Sequence, residues 1–315
     1  MKKRLSDIVC LGEPLLEFTE VTKDGEDPAY VRGFGGDTSN CAIAAVRQGA
    51  SVGYVTAVSA DDFGDAFFSL WKAEGVDTSC VIRAPDVNTG IYYVFPTPTG
   101  RNFAYFRAGS AASCMRPSDI PEGYVKGAKV LHVSGISQAI SDSACDAVFR
   151  AMEIARENGV KISYDSNLRL KLWPISRARA IIHESMRLCD IAFPSFDDSR
   201  HLTGLSEADA IVDFYLELGA SLVALKMGEK GAMIATPDRR VRIPPYKVEP
   251  IDATGAGDTF DGAFLAEYLE HDDPFVAGRY AAAAAALTTT GLGAVSSIPK
   301  RAAVEEMLQE QDDTG

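Results

Sequence analysis

The chain has 315 residues, which is long enough for one large domain or two with a substantial hydrophobic core. Hydrophobic residues make up 46% of it and charged residues 24%, which is ordinary globular usage and excludes a disordered or fibrous protein. Asp and Glu number 44 against 31 Lys and Arg, and the net charge of −13 excludes broad binding to nucleic acid or anionic membrane.

The N-terminal region predicts no export. Met1 to Leu5 is basic, but the apolar stretch after it is interrupted by acidic residues at Asp7, Glu13 and Glu17, so we expect neither a signal peptide nor a membrane span. The six cysteines form no CxxC pair, and the four histidines lack ligand spacing. We therefore expect a cytoplasmic protein with reduced thiols and structural roles for these ten side chains.

The first third of the chain predicts a small sheet built from separated strands. The strands, divided by Pro and Gly turns, are Tyr30 to Phe34, Val81 to Arg83, Thr89 to Phe95 and Asn102 to Arg107. Two helices, Thr38 to Gln48 and Phe63 to Glu74, are predicted between them. We therefore expect a single domain over 1–315, with a discontinuous β lid formed by segments of about 14–34 and 80–108.

After Lys129, short apolar runs alternate with longer amphipathic ones, the pattern of βαβ units. The predicted strands are Lys129 to Val133, Val160 to Tyr164, Ile191 to Pro194 and Leu222 to Met227. The predicted helices are Asp142 to Asn158, Ser176 to Leu188 and Ser206 to Leu218. Right-handed crossovers would lay these strands into an α/β fold with a doubly wound, mainly parallel sheet flanked by helices.

The clearest chemical signal is a glycine-rich loop, Asp252 to Phe260, that leads into an apolar helical segment. Gly255 and Gly257 let backbone N–H groups approach a ligand, and the positive end of the helix dipole favours an anion such as a transferring phosphoryl group. Asp258 would lie in the first turn, where a carboxylate can accept the proton of an attacking hydroxyl. The alternative is an ordinary acidic residue that stabilises the helix start without catalysis.

A second Gly-Gly turn precedes the helix predicted from Thr38. Gly36, Asp37 and Asn40 belong to this turn and the helix start, and their backbone and side chains are suited to bind the hydroxyls of a small polar ligand. Alone this motif is weak evidence for a binding site, because most Gly-Gly pairs before a helix only form a turn.

Taken with the order of elements, these loops resemble the signature regions of the ribokinase-like (PfkB) carbohydrate kinases over nearly the whole chain. The matching stretches are Gly36 to Asn40, Gly53 to Gly64 and Thr254 to Phe260. The resemblance implies a ribokinase-like fold, with ATP and Mg²⁺ as cofactors. It also implies that Gly255, Ala256 and Gly257 form an anion hole for the γ-phosphate, with Asp258 as the base that activates the sugar hydroxyl.

Finer features are similar to the 2-keto-3-deoxygluconate kinases within that family. They lie in Arg32 to Asp37, Thr89 to Tyr93, Tyr105 to Ala112 and Asp165 to Trp173. In an extended strand, Tyr105 and Arg107 point to one face and offer a hydroxyl and a guanidinium to a sugar acid. The expected substrate-binding residues are Gly36, Asp37, Asn40, Tyr92, Tyr105, Arg107 and Arg169. For both tyrosines and Arg107, the alternative is lid packing or a surface charge.

The resemblance also implies nucleotide and metal sites. The expected nucleotide-binding residues are Asn167, Lys226, Gly228, Gly231, Gly255 and Gly257. The stretch Ser195 to Asp198 replaces the family's Asn-x-x-Glu, so Asp198 keeps a carboxylate for Mg²⁺ with a shorter reach, and phosphates and water hold most of the metal. Leu292 stands where some 2-keto-3-deoxygluconate kinases have an arginine, and a monovalent-cation requirement near Asp252 is left open.

We expect ATP-dependent phosphorylation of a primary hydroxyl of a sugar acid, 2-keto-3-deoxygluconate, to its 6-phosphate. The alternatives are a PfkB-type kinase of a neutral sugar such as fructose or ribose, a nucleoside kinase, and a non-catalytic sugar sensor. We expect no nucleic acid or membrane partner. We do expect a homo-oligomer through the lid sheet, which offers more apolar surface than a thin sheet buries on a monomer. The residues behind that expectation are Tyr93, Phe95, Phe103 and Phe106.

Overall fold

The structure is a computed structural model that describes residues 6–21, 27–97 and 100–312. The basic Met1 to Leu5 and residues 22–26 of the first predicted lid segment lie outside the described residues. The strands are β1 (Ile8–Leu11), β2 (Leu15–Glu20), β3 (Tyr30–Gly35), β4 (Val52–Ser59), β5 (Asp77–Ala84), β6 (Gly90–Thr97), β7 (Gly100–Phe106), β8 (Val130–Ser134), β9 (Lys161–Asp165), β10 (Ile191–Phe193), β11 (Leu222–Lys226), β12 (Ala232–Ala235) and β13 (Arg240–Ile243). The helices are α1 (Asp37–Arg47), α2 (Asp62–Glu74), α3 (Glu122–Val125), α4 (Gly135–Ala139), α5 (Asp142–Glu157), α6 (Ile175–Leu188), α7 (Phe196–Thr203), α8 (Ala208–Leu218), α9 (Ala256–His271), α10 (Pro274–Thr288) and α11 (Arg301–Asp312).

A nine-stranded sheet forms the centre of the fold, in the order β13-β12-β11-β10-β9-β8-β1-β4-β5. From β1 the chain runs outward one way through β4 and β5, then returns and runs the other way through β8 to β11, all parallel. The strands β12 and β13 extend that side as an antiparallel edge. The predicted α/β fold with a doubly wound, mainly parallel sheet is confirmed.

Helices cover both faces of the large sheet and bury an apolar core on each. On one face α5, α6 and α8 contribute Met152, Ile182 and Tyr215 to the core. On the other face, Trp71 from α2 and Phe264 from α9 are fully buried. Because both faces are covered, the central strands β1, β8 and β10 are buried along their whole length and show no inside–outside alternation.

The small sheet, defined here as β2, β3, β6 and β7, has the order β3-β2-β6-β7. The strand predicted at Val81 to Arg83 belongs instead to β5, the edge strand of the large sheet, so its assignment to the lid was wrong. An edge strand is covered on fewer sides than a central one, and its half-exposed pattern resembles that of a lid strand. Its pairing with β4 is a tertiary contact that local sequence does not specify.

The two faces of the small sheet carry different side chains. Tyr92 pairs with Tyr105, and their rings stack with centroids 5.6 Å apart on the face that also carries Phe103. Tyr93 and Phe106 lie on the opposite face with ring centroids 5.9 Å apart. Phe103 is therefore not part of the outer apolar face with Tyr93 and Phe106, and association through that face stays a prediction.

Within the described part of the chain, no helix combines the length and the apolar character needed to cross a bilayer.

Candidate active site

The candidate site lies where the parallel strands of the large sheet end. β9 ends at Asp165 and β11 at Lys226, and the Asp165 carboxylate is 3.1 Å from the Lys226 ammonium. The starts of two helices meet at the same edge, because Asn40 in α1 hydrogen-bonds to Asp258 in α9. Ligands of open α/β sheets bind in this position, outside the carboxyl ends of the strands.

The glycine loop places backbone donors at the start of α9. Gly255 caps the helix in the left-handed region with φ of 80°, and a Cβ added there would lie 2.9 Å from the Ala294 carbonyl oxygen. The Ala256 N–H donates to the Ala253 carbonyl at 3.2 Å and is used within the loop. The first-turn N–H groups of Gly257 and Asp258 have no acceptor within the helix, so they are the donors suited to a phosphoryl group.

Asp258 is held in the cleft by an amide side chain. Asn40 donates from Nδ2 to Asp258 Oδ2 at 2.8 Å. Burial, reinforced by the nearby charge of Asp37, raises the pKa of Asp258 to about 7, and the Asn40 hydrogen bond opposes that rise. A carboxylate whose pKa lies near neutrality is matched to proton abstraction at physiological pH.

This environment predicts a pH dependence of kcat/KM. Only the ionised carboxylate accepts a proton, so activity falls about tenfold for each pH unit below about pH 7 and is level above it. Asn40→Ala removes a hydrogen bond that favours the charged form, so the acid limb moves to higher pH; Asp37→Asn removes a repelling charge, so the limb moves to lower pH. Rate profiles between pH 5 and 9 measure both. Shifts in the same direction would contradict the assignment.

A buried cation lies beneath the glycine loop. Lys226 Nζ is 2.9 Å from Asp261 Oδ1 and 3.1 Å from Asp165 Oδ2, and its side chain is 13% exposed. Burial opposes the charge, but the two carboxylates raise the pKa of Lys226, so it stays an ammonium. A Cβ added to Gly257 would lie 3.7 Å from Nζ. Lys226, predicted to bind nucleotide, therefore lies next to the loop that would hold phosphate, with Asp261 as a partner that the sequence analysis missed.

Asn167 links the loop after β9 to the start of α1. Its Nδ2 donates to Asp37 Oδ2 at 3.1 Å, and its backbone N–H donates to Asp165 Oδ1 at 3.2 Å. Its φ of 29° is positive, which is uncommon for a residue other than glycine and is a form of strain found at functional sites. Asn167, predicted to bind nucleotide, is thus hydrogen-bonded to a predicted substrate residue.

Arg107 is paired with a buried carboxylate. Its guanidinium donates from Nε to Glu13 Oε2 at 2.7 Å, and a second hydrogen bond joins Nη2 to the same oxygen. The Ser110 hydroxyl donates to Glu13 Oε1 at 2.5 Å. Burial raises the pKa of Glu13, although Arg107 and Ser110 oppose it. Glu13 was not among the predicted site residues; the only signal was an acidic residue inside an apolar stretch.

The tyrosines of the small sheet differ in exposure. Tyr92 is buried, and its hydroxyl donates to Glu17, a second buried carboxylate that the sequence analysis did not assign to the site. Tyr105 is 45% exposed and stacks on Tyr92. Gly35 leaves room for the Tyr92 side chain, since a Cβ at position 35 would lie 2.6 Å from the Tyr92 hydroxyl oxygen. The exposed Tyr105 hydroxyl is the one available to a ligand.

Asp198 and Arg169 flank one turn at the edge of the site. Asp198 accepts the Leu168 N–H on Oδ2 at 3.0 Å, and burial raises the pKa of Asp198. Arg169 is exposed and donates from Nη1 to the Leu168 carbonyl at 3.0 Å. The Ser195 side chain also hydrogen-bonds to the Asp198 carboxylate, and the Arg169 guanidinium keeps further donors.

The predicted nucleotide-binding glycines have different surroundings. Gly231 has a φ of 80°, and a Cβ there would lie 2.0 Å from the Ile243 carbonyl oxygen, so the turn itself requires this glycine. Gly228 has a φ of 56° and open space around its Cβ position. Gly228 is thus the one with room for a ligand.

Both carboxylate oxygens of Asp252 accept hydrogen bonds or ion pairs from protein donors. The sequence left open whether a monovalent cation binds near this residue. Thr254 donates its N–H and hydroxyl to Oδ1 at 3.0 and 2.7 Å. Oδ2 accepts the Gly293 N–H at 3.0 Å and lies 2.6 Å from Arg101 Nη1. In this arrangement the charge of the carboxylate is balanced by a guanidinium from the small sheet.

This chain is similar to known sugar kinases over nearly its whole length. A family model described as pfkB family carbohydrate kinase matches residues 5–301. A 2-dehydro-3-deoxygluconokinase from Thermoproteus tenax is 34% identical over 311 residues, covering 96% of this chain and 94% of its own. Fructokinase-1 from Oryza sativa subsp. japonica is 32% identical over 322 residues, covering 98% and 99%. A crystal structure of fructokinase from Vibrio cholerae O395, with fructose, ADP and calcium bound, has a TM-score of 0.86 at 27% identity and covers 97% of this chain and 100% of that one.

Proposed function

Because this chain belongs to the pfkB family of carbohydrate kinases, we propose that it transfers the γ-phosphoryl group of ATP to the primary hydroxyl of 2-keto-3-deoxygluconate, giving the 6-phosphate. One observation carries the kinase assignment: Asp258 hydrogen-bonds to Asn40 beside the first-turn N–H groups of α9. A base and an anion-binding helix start are therefore adjacent, as phosphoryl transfer to an alcohol requires.

The proposed transfer is direct and in line. The acceptor oxygen forms its bond to the γ-phosphorus as the bond to the bridging oxygen of ADP breaks, and Asp258 takes the hydroxyl proton. The N–H groups of Gly257 and Asp258 stabilise charge on the transferring oxygens, and the Lys226 ammonium, paired with Asp165 and Asp261, lies below the loop. Excluding water from this cleft would favour transfer to the sugar over hydrolysis.

Asp198 is the carboxylate at the edge of the site that would hold magnesium. Asp198 has one carboxylate oxygen not taken by the Leu168 N–H. A single carboxylate, phosphate oxygens and water make up the oxygen-rich, partly hydrated sphere that Mg²⁺ prefers. When bound, the ion would neutralise charge on the β- and γ-phosphates.

The sugar-acid assignment is supported by a cationic side chain, Arg169, and by the 2-dehydro-3-deoxygluconokinase relative from Thermoproteus tenax. Arg169 is exposed beside Asn167, which hydrogen-bonds to the predicted sugar-binding Asp37. Its guanidinium has donors left for a bidentate bond to a substrate carboxylate. Arg107 contributes less to this choice, because Glu13 already neutralises it.

A neutral sugar such as fructose is the second candidate. Glu13 is paired with Arg107, but the buried Glu17 beside Tyr92 places a further acidic group near the expected sugar site, and a neutral polyol is not repelled by it. Fructokinase-1 from Oryza sativa subsp. japonica is similar to this chain at 32% identity, against 34% for the 2-dehydro-3-deoxygluconokinase. The two candidates predict opposite orders of kcat/KM in one assay.

We expect kcat/KM for 2-keto-3-deoxygluconate to exceed that for fructose or ribose by about a hundredfold or more, because a bidentate guanidinium–carboxylate pair forms only with the acid. Arg169→Ala should raise KM for the acid about tenfold and leave KM for fructose nearly unchanged. ADP release over a panel of sugars, sugar acids and nucleosides measures this. Lys171→Ala, an exposed cation two residues away, is the matched control.

Each alternative has its own signature in that panel. A higher kcat/KM for fructose would replace the sugar acid with a neutral sugar and leave the kinase assignment intact. Turnover confined to nucleosides would identify a nucleoside kinase. Sugar binding by calorimetry with no ADP release from any acceptor would identify a non-catalytic sensor and overturn the kinase assignment.

A further inference from the structure

Arg101 joins the small sheet to the glycine loop. It is the second residue of β7, and its Nη1 lies 2.6 Å from Asp252 Oδ2. The Arg101 side chain is 25% exposed and the Asp252 side chain 4%, so solvent screens this pair less than an ion pair on the open surface.

The pair also connects the predicted sugar-binding residues to the predicted phosphate site. Arg101 pairs with Pro96 across the β6–β7 hairpin, so the period of two places it on the face that carries Tyr92 and Tyr105. Asp252 lies three residues before Gly255, and its Oδ1 holds the intervening turn through Thr254. The paired strands β6 and β7 therefore carry both the tyrosines predicted to bind the sugar and an arginine that is ion-paired with the glycine loop.

A second contact lies beside the first. Asp252 Oδ2 also accepts the N–H of Gly293, and a Cβ at Gly293 would lie 3.9 Å from Glu17 Oε1 in β2. The buried Asp252 carboxylate thus contacts three parts of the fold: the turn before α9, the turn at Gly293 and the small sheet. Loss of Arg101 would leave a buried carboxylate with its charge unbalanced.

We propose that Arg101 is a positioning residue: its ion pair with Asp252 clasps the small sheet onto the glycine loop and so sets the distance between the acceptor hydroxyl and the transferring phosphoryl group. This inference rests on the proposed kinase function. In-line transfer is sensitive to such distances, and a misplacement of about 1 Å costs about a hundredfold in rate. A loosened clasp also lets water compete with the sugar for the phosphoryl group.

The test compares Arg101→Ala, Arg101→Lys and the control Arg83→Ala, whose ion pair with Asp65 is exposed on the large sheet. We expect Arg101→Ala to lower kcat about tenfold or more, to reduce the sugar phosphate formed per ADP, and to speed amide hydrogen exchange in 252–258. Arg101→Lys keeps the charge and should recover most of each effect, and Arg83→Ala should match wild type.

The proposal would be overturned if Arg101→Ala formed as much sugar phosphate per ADP as wild type and had wild-type hydrogen exchange in 252–258. It would also be overturned if Arg101→Lys behaved like Arg101→Ala. Hydrogen exchange needs no turnover. A wild-type protein that phosphorylates nothing would therefore defeat the proposed function, while the exchange result still decides the clasp.

Discussion

Asp258→Asn should lower kcat for phosphoryl transfer by about a thousandfold, because an amide cannot take the hydroxyl proton. The first-turn N–H groups of α9 are backbone groups and survive the change, so ATP affinity should stay within about threefold of wild type. Steady-state ADP release and a separate nucleotide-binding titration measure the two quantities. A large loss of kcat with nearly unchanged ATP affinity indicates that the base is lost, whereas a loss of both indicates a damaged nucleotide site.

The stability of Asp258→Asn provides the control. Burial penalises the charged carboxylate, as its raised pKa of about 7 records, and the neutral amide has no such penalty. Above pH 7 the variant should therefore unfold at a temperature equal to or above that of wild type. An inactive variant that also melts early would have lost structure, and would say nothing about the base. Wild-type kcat in a well-folded variant would remove Asp258 from the chemistry.

Gly36→Ala should destabilise the protein by about 3 kcal/mol and abolish most sugar binding. Gly36 has a φ of 105°, and a Cβ there would lie 2.3 Å from the Glu13 carbonyl oxygen and 2.8 Å from the Pro14 Cα. Both obstacles are backbone atoms, so the chain must move. That movement displaces the start of α1, which holds Asn40 against the base. Denaturant unfolding and KM for the sugar measure the two effects.

Gly109→Ala separates backbone strain from steric conflict. Gly109 also has a positive φ, 72°, but nothing lies within 4 Å of its Cβ position. The change should cost about 1 kcal/mol, the strain of a left-handed residue alone, with little effect on KM. Equal losses of stability in the two variants would contradict the steric explanation.

The parallel strands β8 to β11 of the large sheet were predictable because these strands and the helices between them have strong local periodicity. The segments from β8 to β11 alternate with amphipathic helices such as α5 and α8, and the observed bounds differ from the predicted ones by a residue or two. The strand β5 was assigned to the wrong sheet, because its half-exposed residues match an edge strand of either one. The strands β1, β4, β12 and β13 were not predicted. For β1, four buried residues are too short a run to distinguish a strand from a buried helix segment.

The candidate site was predictable only where a loop motif marks it. The glycine loop identifies Asp258 and the Gly-Gly turn identifies Asn40, yet 218 positions separate the two residues that the fold brings to 2.8 Å. Partners that complete the site carry no local motif. Glu13 interrupts an apolar stretch, and Arg101 is one arginine in a strand of the small sheet; each acquires its role through a contact across the fold.

The most direct test of this account is a crystal structure with a sugar acceptor and a non-hydrolysable ATP analogue bound together. We expect an Asp258 carboxylate oxygen within about 3.2 Å of the acceptor hydroxyl, and that hydroxyl facing the γ-phosphorus at the start of α9. An Asp258 carboxylate that points away from the hydroxyl, beyond the reach of a hydrogen bond or of one bridging water, would contradict the account.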